Sequence, residues 1–164
     1  MKPIRSQRPD HALPRWSLLV TLALMLGACS DREAPGYAVH GGGQLTLESL
    51  HGHWVFINYW AEWCAPCREE IPELNDFAAE HAQRVRVLSV NFDGVTGEQL
   101  SAQIAGLGIA FPTLLTDPRA ALGVPPPQGL PETLVIDPQG RLSQVLRGPQ
   151  TGATLLAATE DSSG

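Results

Sequence analysis

The feature of this sequence that most limits its fold is a pair of cysteines between a strand-like run and a helix-like run. Residues 54–60 (Trp-Val-Phe-Ile-Asn-Tyr-Trp) form a continuous apolar and aromatic stretch, which is typical of a buried central strand. The following range, Ala65–Ala82, carries apolar side chains at helical spacing. Cys64 and Cys67 therefore stand at the N-terminus of a predicted helix. Unpaired backbone N–H groups and the positive end of the helix dipole favour a thiolate there.

Two thiols at this spacing can close a disulfide, and the thiolate is the nucleophile in thiol–disulfide exchange. A zinc site is disfavoured, because zinc usually takes four ligands and the chain has neither a second Cys-x-x-Cys pair nor histidines at a matching spacing. A purely structural disulfide stays open but is weakly motivated, because so short a loop restrains little of the unfolded chain. Cys29 is the one other cysteine, so the pattern leaves a single isolated pair.

The rest of the chain alternates strand and helix patterns. Strands are predicted at 44–47, 54–60, 85–92, 133–136 and 140–147, and helices at 65–82, 97–107 and 151–159, with a short helix after Asp117-Pro118 and before Val124. This order predicts an α/β protein with a mixed sheet, helices on both faces and right-handed crossovers in the parallel part.

The first residues have the pattern of a secretory signal. Basic residues precede a short apolar stretch, residues 16–28, which is shorter than the roughly 18 apolar residues that a membrane-spanning helix needs. The stretch ends in Leu26-Gly27-Ala28-Cys29, which resembles the bacterial lipobox, in which the cysteine receives the lipid. We therefore expect a signal peptide at 1–28, a lipidated Cys29 with a flexible tether at 29–43, and the domain at 44–164.

Composition and charge exclude some classes of function. The chain has 164 residues, of which 43% are hydrophobic, so it is long and apolar enough for one domain with a core. Its net charge of −6 argues against a nucleic-acid binder, which would present a basic surface. A lipidated Cys29 would place the domain at a cell membrane, facing an oxidising periplasm, and Ser30 favours the outer membrane over the inner one.

The sequence resembles the membrane-anchored TlpA/ResA type of thioredoxin-fold protein, from about Gln44 to the C-terminus. Three segments carry the resemblance: residues 60–67 (Trp-Ala-Glu-Trp-Cys-Ala-Pro-Cys), residues 68–72 (Arg-Glu-Glu-Ile-Pro) and residues 129–133 (Gly-Leu-Pro-Glu-Thr). The resemblance implies a thioredoxin fold with an N-terminal strand extension and a central insertion, which residues 97–124 would supply.

The resemblance also implies roles for single residues. Cys64 would be the attacking and more exposed thiol, and Cys67 the resolving one. Pro131 would be a cis-proline facing the disulfide, although an ordinary trans proline would be the default without the cysteine motif. Leu130 would offer backbone hydrogen bonds to an extended substrate segment, as an added strand does.

An acid is expected near the thiols, but not where thioredoxin has one. Thioredoxin has a buried acid six positions before its first cysteine, and here that position is Asn58. Proteins of the TlpA/ResA type have instead an acid that matches Glu70, which lies one helical turn after Cys67. A carboxylate there would raise the thiol pKa and could carry the resolving thiol's proton. The alternative is a solvated surface acid, as Glu69 is expected to be.

Three residues around the cysteines are expected to contact substrate. Trp63 is predicted to cover the disulfide, and Ala65 and Pro66 complete the loop, with Pro66 at an early helical position where a missing N–H costs nothing. Trp60 and Trp54 are assigned to core or edge packing.

The function implied is a thiol–disulfide oxidoreductase working as a reductase by a mixed-disulfide mechanism, with the Cys64–Cys67 disulfide and no cofactor or metal. Its expected partners are protein disulfides, with apocytochrome c and copper-delivery proteins as substrate classes, and an upstream thiol donor of the DsbD/CcdA type. We expect a monomer held to the membrane through Cys29.

Two rival functions stay open. The dithiol could handle Cu(I), since thiolates suit that ion, but Sco-type copper proteins use a Cys-x-x-x-Cys pair with a distant histidine. A peroxide reductase on the same fold would carry a lone cysteine after Pro and Thr, a pattern that is missing before Cys64.

Overall fold

The structure is a computed structural model, and it describes residues 36–160. The strands are β1 Tyr37–Ala38, β2 Gln44–Leu45, β3 Trp54–Trp60, β4 Val85–Asn91, β5 Thr113–Leu114, β6 Glu132–Ile136 and β7 Leu142–Arg147. The α-helices are α1 Ala65–Glu80, α2 Gly97–Leu107 and α3 Gly152–Ala157, and Glu48–Leu50 forms a single 3₁₀ turn. None of the helices in this part of the chain is long and apolar enough to cross a membrane.

Five strands form one mixed sheet in the order β5-β4-β3-β6-β7. Strand β3 runs parallel to β4, and β4 parallel to β5, whereas β6 is antiparallel to both β3 and β7. The predicted mixed sheet is therefore confirmed. Because β6 is antiparallel to β3, the C-terminal end of β3 lies beside the N-terminal end of β6. The loop that leaves β3 and the loop that enters β6 therefore lie at the same end of the two strands.

The central strand β3 is buried on both faces, because its side chains pack alternately into two apolar clusters. Phe56 and Trp60 point into one cluster, where Phe56 meets Phe77 of α1 edge-on with ring centroids 5.1 Å apart. Ile57 and Tyr59 belong to the other cluster. A fully buried side chain of this size contributes about 1.5–3 kcal/mol, so the continuous apolar run accounts for the position of β3 in the middle of the sheet.

Helices flank the sheet unevenly. Apolar side chains of α1, α2 and α3 all pack in the cluster that contains Phe56. The other face is covered by the 3₁₀ turn through Leu50, by Tyr37 of β1 and by Leu122. The short helix expected after Asp117-Pro118 is a single turn, closed by Leu122 N–H on the Pro118 carbonyl. It ends at Gly123, which has φ +67°, and the prolines that follow cannot continue a helix.

The domain begins before Gln44. Tyr37 is buried, and β1 pairs with β2 in antiparallel register, Tyr37 opposite Leu45. The chain then reaches the edge of the main sheet, where Leu115 N–H bonds to the Ala38 carbonyl at 2.8 Å. The predicted tether is thus wrong for residues 37–43, while the expected N-terminal strand extension is confirmed.

The error has a local cause. The glycine run 41–43 suggests a linker, but these glycines form the turn between β1 and β2 with φ values of 86°, 113° and 88°, which side chains rarely adopt. The predicted signal peptide at 1–28 and the lipid on Cys29 lie outside the residues that the structure describes.

Candidate functional site

The two cysteines lie at the start of α1, where β3 delivers the chain to the edge of the sheet. Cys64 is the N-cap residue, in an extended conformation, and its Sγ accepts a hydrogen bond from Cys67 N–H at 3.3 Å. The sulfurs form a disulfide with an S–S distance of 2.01 Å. Cys64 is 3% exposed and Cys67 is fully buried. The order of exposure fits attack by Cys64, and the role of each thiol stays a prediction.

The loop that enters β6 contains a cis peptide bond between Leu130 and Pro131, as predicted. The antiparallel register pairs Tyr59 with Glu132, so Pro131 comes level with Trp60, the last residue of β3, at the end of the sheet where the cysteines follow β3. The Pro131 carbonyl accepts from Gly148 N–H at 3.0 Å. Leu130 is half-buried and contacts both apolar clusters.

Glu70 is a buried side chain of α1, with 1% exposure. Its Oε1 accepts from Asn58 Nδ2 at 2.6 Å, and its Oε2 accepts from Gln150 N–H at 3.0 Å. Burial raises the pKa of Glu70 to about 7, although these two hydrogen bonds act in the opposite direction. The interpretation of Glu70 as a solvated surface acid is therefore wrong. A carboxyl that titrates near neutral pH, one turn from Cys67, can both accept and donate a proton.

Asn58 is part of the site in a way that the sequence did not predict. Its Nδ2 also donates to Thr133 Oγ1 on β6 at 3.0 Å, so one amide links α1, β3 and β6. Its Oδ1 is buried and has no hydrogen-bond partner. Asn58 stands out in the sequence as the one polar residue of the run 54–60, but the sequence does not show which residues it contacts, because they are distant along the chain.

Trp63 lies at the surface with 63% exposure. Its Nε1 donates to the Asp93 carboxylate at 3.0 Å, and its ring meets Phe92 edge-on with centroids 6.4 Å apart. Trp63 is thus anchored to the loop after β4, and its role in covering the disulfide stays a prediction. Ala65 is exposed and Pro66 half-buried in the first turn of α1, so all three predicted substrate contacts are accessible.

Two of the other tryptophans pack as predicted. Trp60 is fully buried in the core, and Trp54 packs against the same apolar cluster from the rim of the sheet.

A series of side-chain hydrogen bonds connects the segment before Cys64 to the neighbouring elements. The Glu62 carboxylate accepts from Gln103 Nε2 at 2.9 Å, and Gln103 Oε1 accepts from Asn91 Nδ2 at 3.1 Å. The Glu62 carbonyl accepts from the Arg68 guanidinium. The segment is thereby tied to α2, which belongs to the central insertion.

A buried ion pair joins Arg119 to Glu132, the residue after Pro131. Arg119 is 4% exposed, and Glu132 is 2% exposed. No sequence pattern predicts this pair, because its partners lie in a turn of the insertion and at the start of β6. Among residues 36–160, no three His, Cys, Asp or Glu side chains come together as a metal-binding group.

Comparisons with known proteins agree with this geometry. A sequence model of the AhpC/TSA family matches residues 29–145. The thiol-disulfide oxidoreductase ResA of Bacillus subtilis (strain 168) is 30% identical over 122 residues, which cover 73% of this chain and 68% of that protein.

Solved structures are similar as well. A thiol:disulfide interchange protein of the thioredoxin family from Chlorobium tepidum TLS has a TM-score of 0.63 and 28% identity, over 80% of this chain and 95% of that one. StoA from Bacillus subtilis has a TM-score of 0.61 at 20% identity, over 76% and 94%. The predicted thioredoxin fold is confirmed.

Proposed function

The chain belongs to the AhpC/TSA family and is a thiol–disulfide oxidoreductase of the ResA type, and from this membership we propose that it works as a reductase of protein disulfides outside the cytoplasm. The observation that carries the direction is the burial of Glu70 one turn after Cys67. A carboxylate in that position opposes the thiolate, and no basic residue stands between the cysteines to stabilise it. A less stabilised thiolate makes the dithiol form less favourable and the pair more reducing.

The proposed reaction begins with the reduced protein. The Cys64 thiolate attacks one sulfur of the substrate disulfide and displaces the other as a thiolate, which leaves a mixed disulfide. Cys67 passes its proton to the Glu70 carboxylate and attacks Cys64 Sγ, which releases the second substrate thiolate. The substrate gains two electrons, and its thiolates take one proton from Glu70 and one from solvent. The protein is left with the Cys64–Cys67 disulfide.

The site is proposed to need no cofactor beyond this disulfide. An upstream dithiol donor of the DsbD/CcdA type would return the two electrons. Trp63, Ala65 and Pro66 would face the substrate, and the backbone of Leu130, held by cis-Pro131, would pair with an extended substrate segment.

We place the protein as a monomer at a cell membrane, facing the periplasm. The support is the sequence 26–29, with Cys29 as the lipidated residue and residues 1–28 as the signal peptide, and Ser30 favours the outer membrane. The proposed substrates are apocytochrome c Cys-x-x-Cys-His sites and copper-delivery proteins of oxidase assembly, both of which need reduced cysteine pairs.

The test is a trap for the mixed disulfide, with two matched variants of the full chain. Cys67→Ser should accumulate a covalent complex with an oxidised Cys-x-x-Cys-His peptide, visible by mass spectrometry, because nothing resolves it. Cys64→Ser should accumulate none, because Cys67 is fully buried. A complex with Cys64→Ser alone would reverse the roles. If neither variant forms one, the protein does not reduce this class of substrate.

A further inference from the structure

Arg119 is buried at the point where the central insertion meets the strand that carries the cis-proline. Its Nη2 pairs with Glu132 Oε1, and its Nη1 donates to the Pro125 carbonyl. The guanidinium carbon lies 4.1 Å from the centre of the Tyr59 ring on β3, a cation–π distance. One side chain therefore holds the insertion, the central strand and β6 together.

The turn that carries Arg119 is itself fixed to β3. The Tyr59 hydroxyl donates to Asp117 Oδ1 at 2.6 Å, and the same oxygen accepts from Arg119 N–H at 2.9 Å. Burial, together with the neighbouring Asp117, raises the pKa of Tyr59 above its ordinary range, so the hydroxyl stays protonated and keeps donating.

Glu132 has two arginine partners of different character. Arg147 Nε lies 3.3 Å from Glu132 Oε2, but its side chain is 66% exposed, so solvent screens this pair. The Arg119 side chain is 5% exposed and is the partner that neutralises the buried carboxylate. Removing Arg119 would leave a nearly unpaired charge next to Pro131, and the start of β6 would have to move to hydrate it.

We propose that Arg119 is a positioning residue: through Glu132 it fixes the Leu130–Pro131 loop, so that the insertion sets the preference for extended protein disulfides over small ones. This inference rests on the proposed function. The two cysteines are held separately, by the N-terminus of α1 and by the apolar cluster around Phe56. A small dithiol reaches the sulfurs without pairing to the loop, so its reaction should not depend on Arg119.

The experiment follows single turnovers of the pre-reduced full chain with an oxidised Cys-x-x-Cys-His peptide, by tryptophan fluorescence. In Arg119→Met, the half-saturating peptide concentration should rise roughly tenfold or more, because the loop that pairs with the peptide is displaced. The maximal rate should stay within about twofold, because the cysteines are held by α1 and the apolar cluster and not by this loop. Reduction of the oxidised chain by dithiothreitol and the reduction potential should stay at wild-type values. Arg119→Lys should recover part of the affinity, because it restores the charge without the planar fork.

Arg141→Met is the matched control. Arg141 pairs with Asp137 at 2.8 Å just beyond the other end of β6, and its side chain is 74% exposed. This variant should behave as wild type with both the peptide and dithiothreitol.

If Arg119→Met does not fold, Arg119→Lys carries the comparison: it keeps the charge beside Glu132 and loses the planar fork, so the half-saturating peptide concentration should still rise, by less than in Arg119→Met. An unchanged half-saturating concentration would overturn the proposal, as would a parallel loss of the dithiothreitol reaction, which would show general damage to the site. A failure of the proposed function would look different: the wild-type protein itself would react with dithiothreitol but would not reduce the peptide.

Discussion

Glu70 links the stability of the protein to pH because its carboxyl is buried at 1% exposure. Its pKa rises from 4.5 to about 7 on folding, so between these values the folded state binds more protons than the unfolded state. Stability contributed at Glu70 is therefore lost as pH rises through this window, by about 3 kcal/mol in total, which is the free energy equivalent of that shift.

Glu70→Gln removes this pH dependence. The free energy of unfolding of the variant minus that of the wild type should increase from pH 4.5 to pH 7 and be level outside that window, because every other group cancels in the difference. Urea unfolding of the two oxidised proteins across this range measures it. A difference that does not change with pH would mean that Glu70 titrates as an exposed acid does.

Asn58 should hold the pKa of Glu70 down, since it donates to the carboxylate at 2.6 Å. Asn58→Ala is expected to raise that pKa further, because the anion loses a donor and stays buried. A side-chain carboxyl NMR titration of Glu70 reads this directly.

Thr133→Val is the control, since it removes the other partner of Asn58 and leaves the donor to Glu70 in place. It should leave the titration of Glu70 nearly unchanged. If both variants shift the pKa equally, the Asn58 amide is not its specific cause.

At the scale of elements, the sequence predicted most of what is specified locally. The apolar run 54–60 became β3 with the same bounds, and α2 also matches its predicted range. The cysteine pair and the cis-proline were found because short motifs carry them. The ion pair of Arg119 and Glu132 was missed because it depends on how the insertion meets β6, and the hydrogen bond from Asn58 to Glu70 was missed because it depends on how β3 meets α1.

Strand β1 was missed for a different reason: the glycine run 41–43 is typical of a linker, and it led to the wrong prediction of a tether there. If β1 belongs to the domain, Tyr37→Ala should lower the free energy of unfolding by about 3 kcal/mol, the usual cost of truncating a buried aromatic side chain. Urea denaturation measures the change. Tyr37→Phe is the control and should cost much less, since it keeps the ring in the cluster. An unchanged free energy of unfolding in Tyr37→Ala would mean that residues 37–43 act as a tether and not as part of the domain.

For the whole molecule, the proposed anchor decides where the chemistry takes place. Cys29→Ala should release the full chain from the membrane fraction of a bacterial host and abolish incorporation of labelled fatty acid, because Cys29 is the proposed site of acylation. Cys67→Ala is the matched control and should stay membrane-bound. A Cys29→Ala protein that remains in the membrane fraction would contradict anchoring through this residue.

The central claim is that the Cys64–Cys67 pair is a reductant, and its reduction potential tests this most directly. Equilibration of the full chain with dithiothreitol or glutathione, with both redox states quantified, gives the value. Burial of a carboxyl beside the pair predicts a potential near or below that of thioredoxin, about −270 mV. A potential near about −120 mV, as in a strong periplasmic oxidant, would contradict the proposed direction and the role of Glu70 with it.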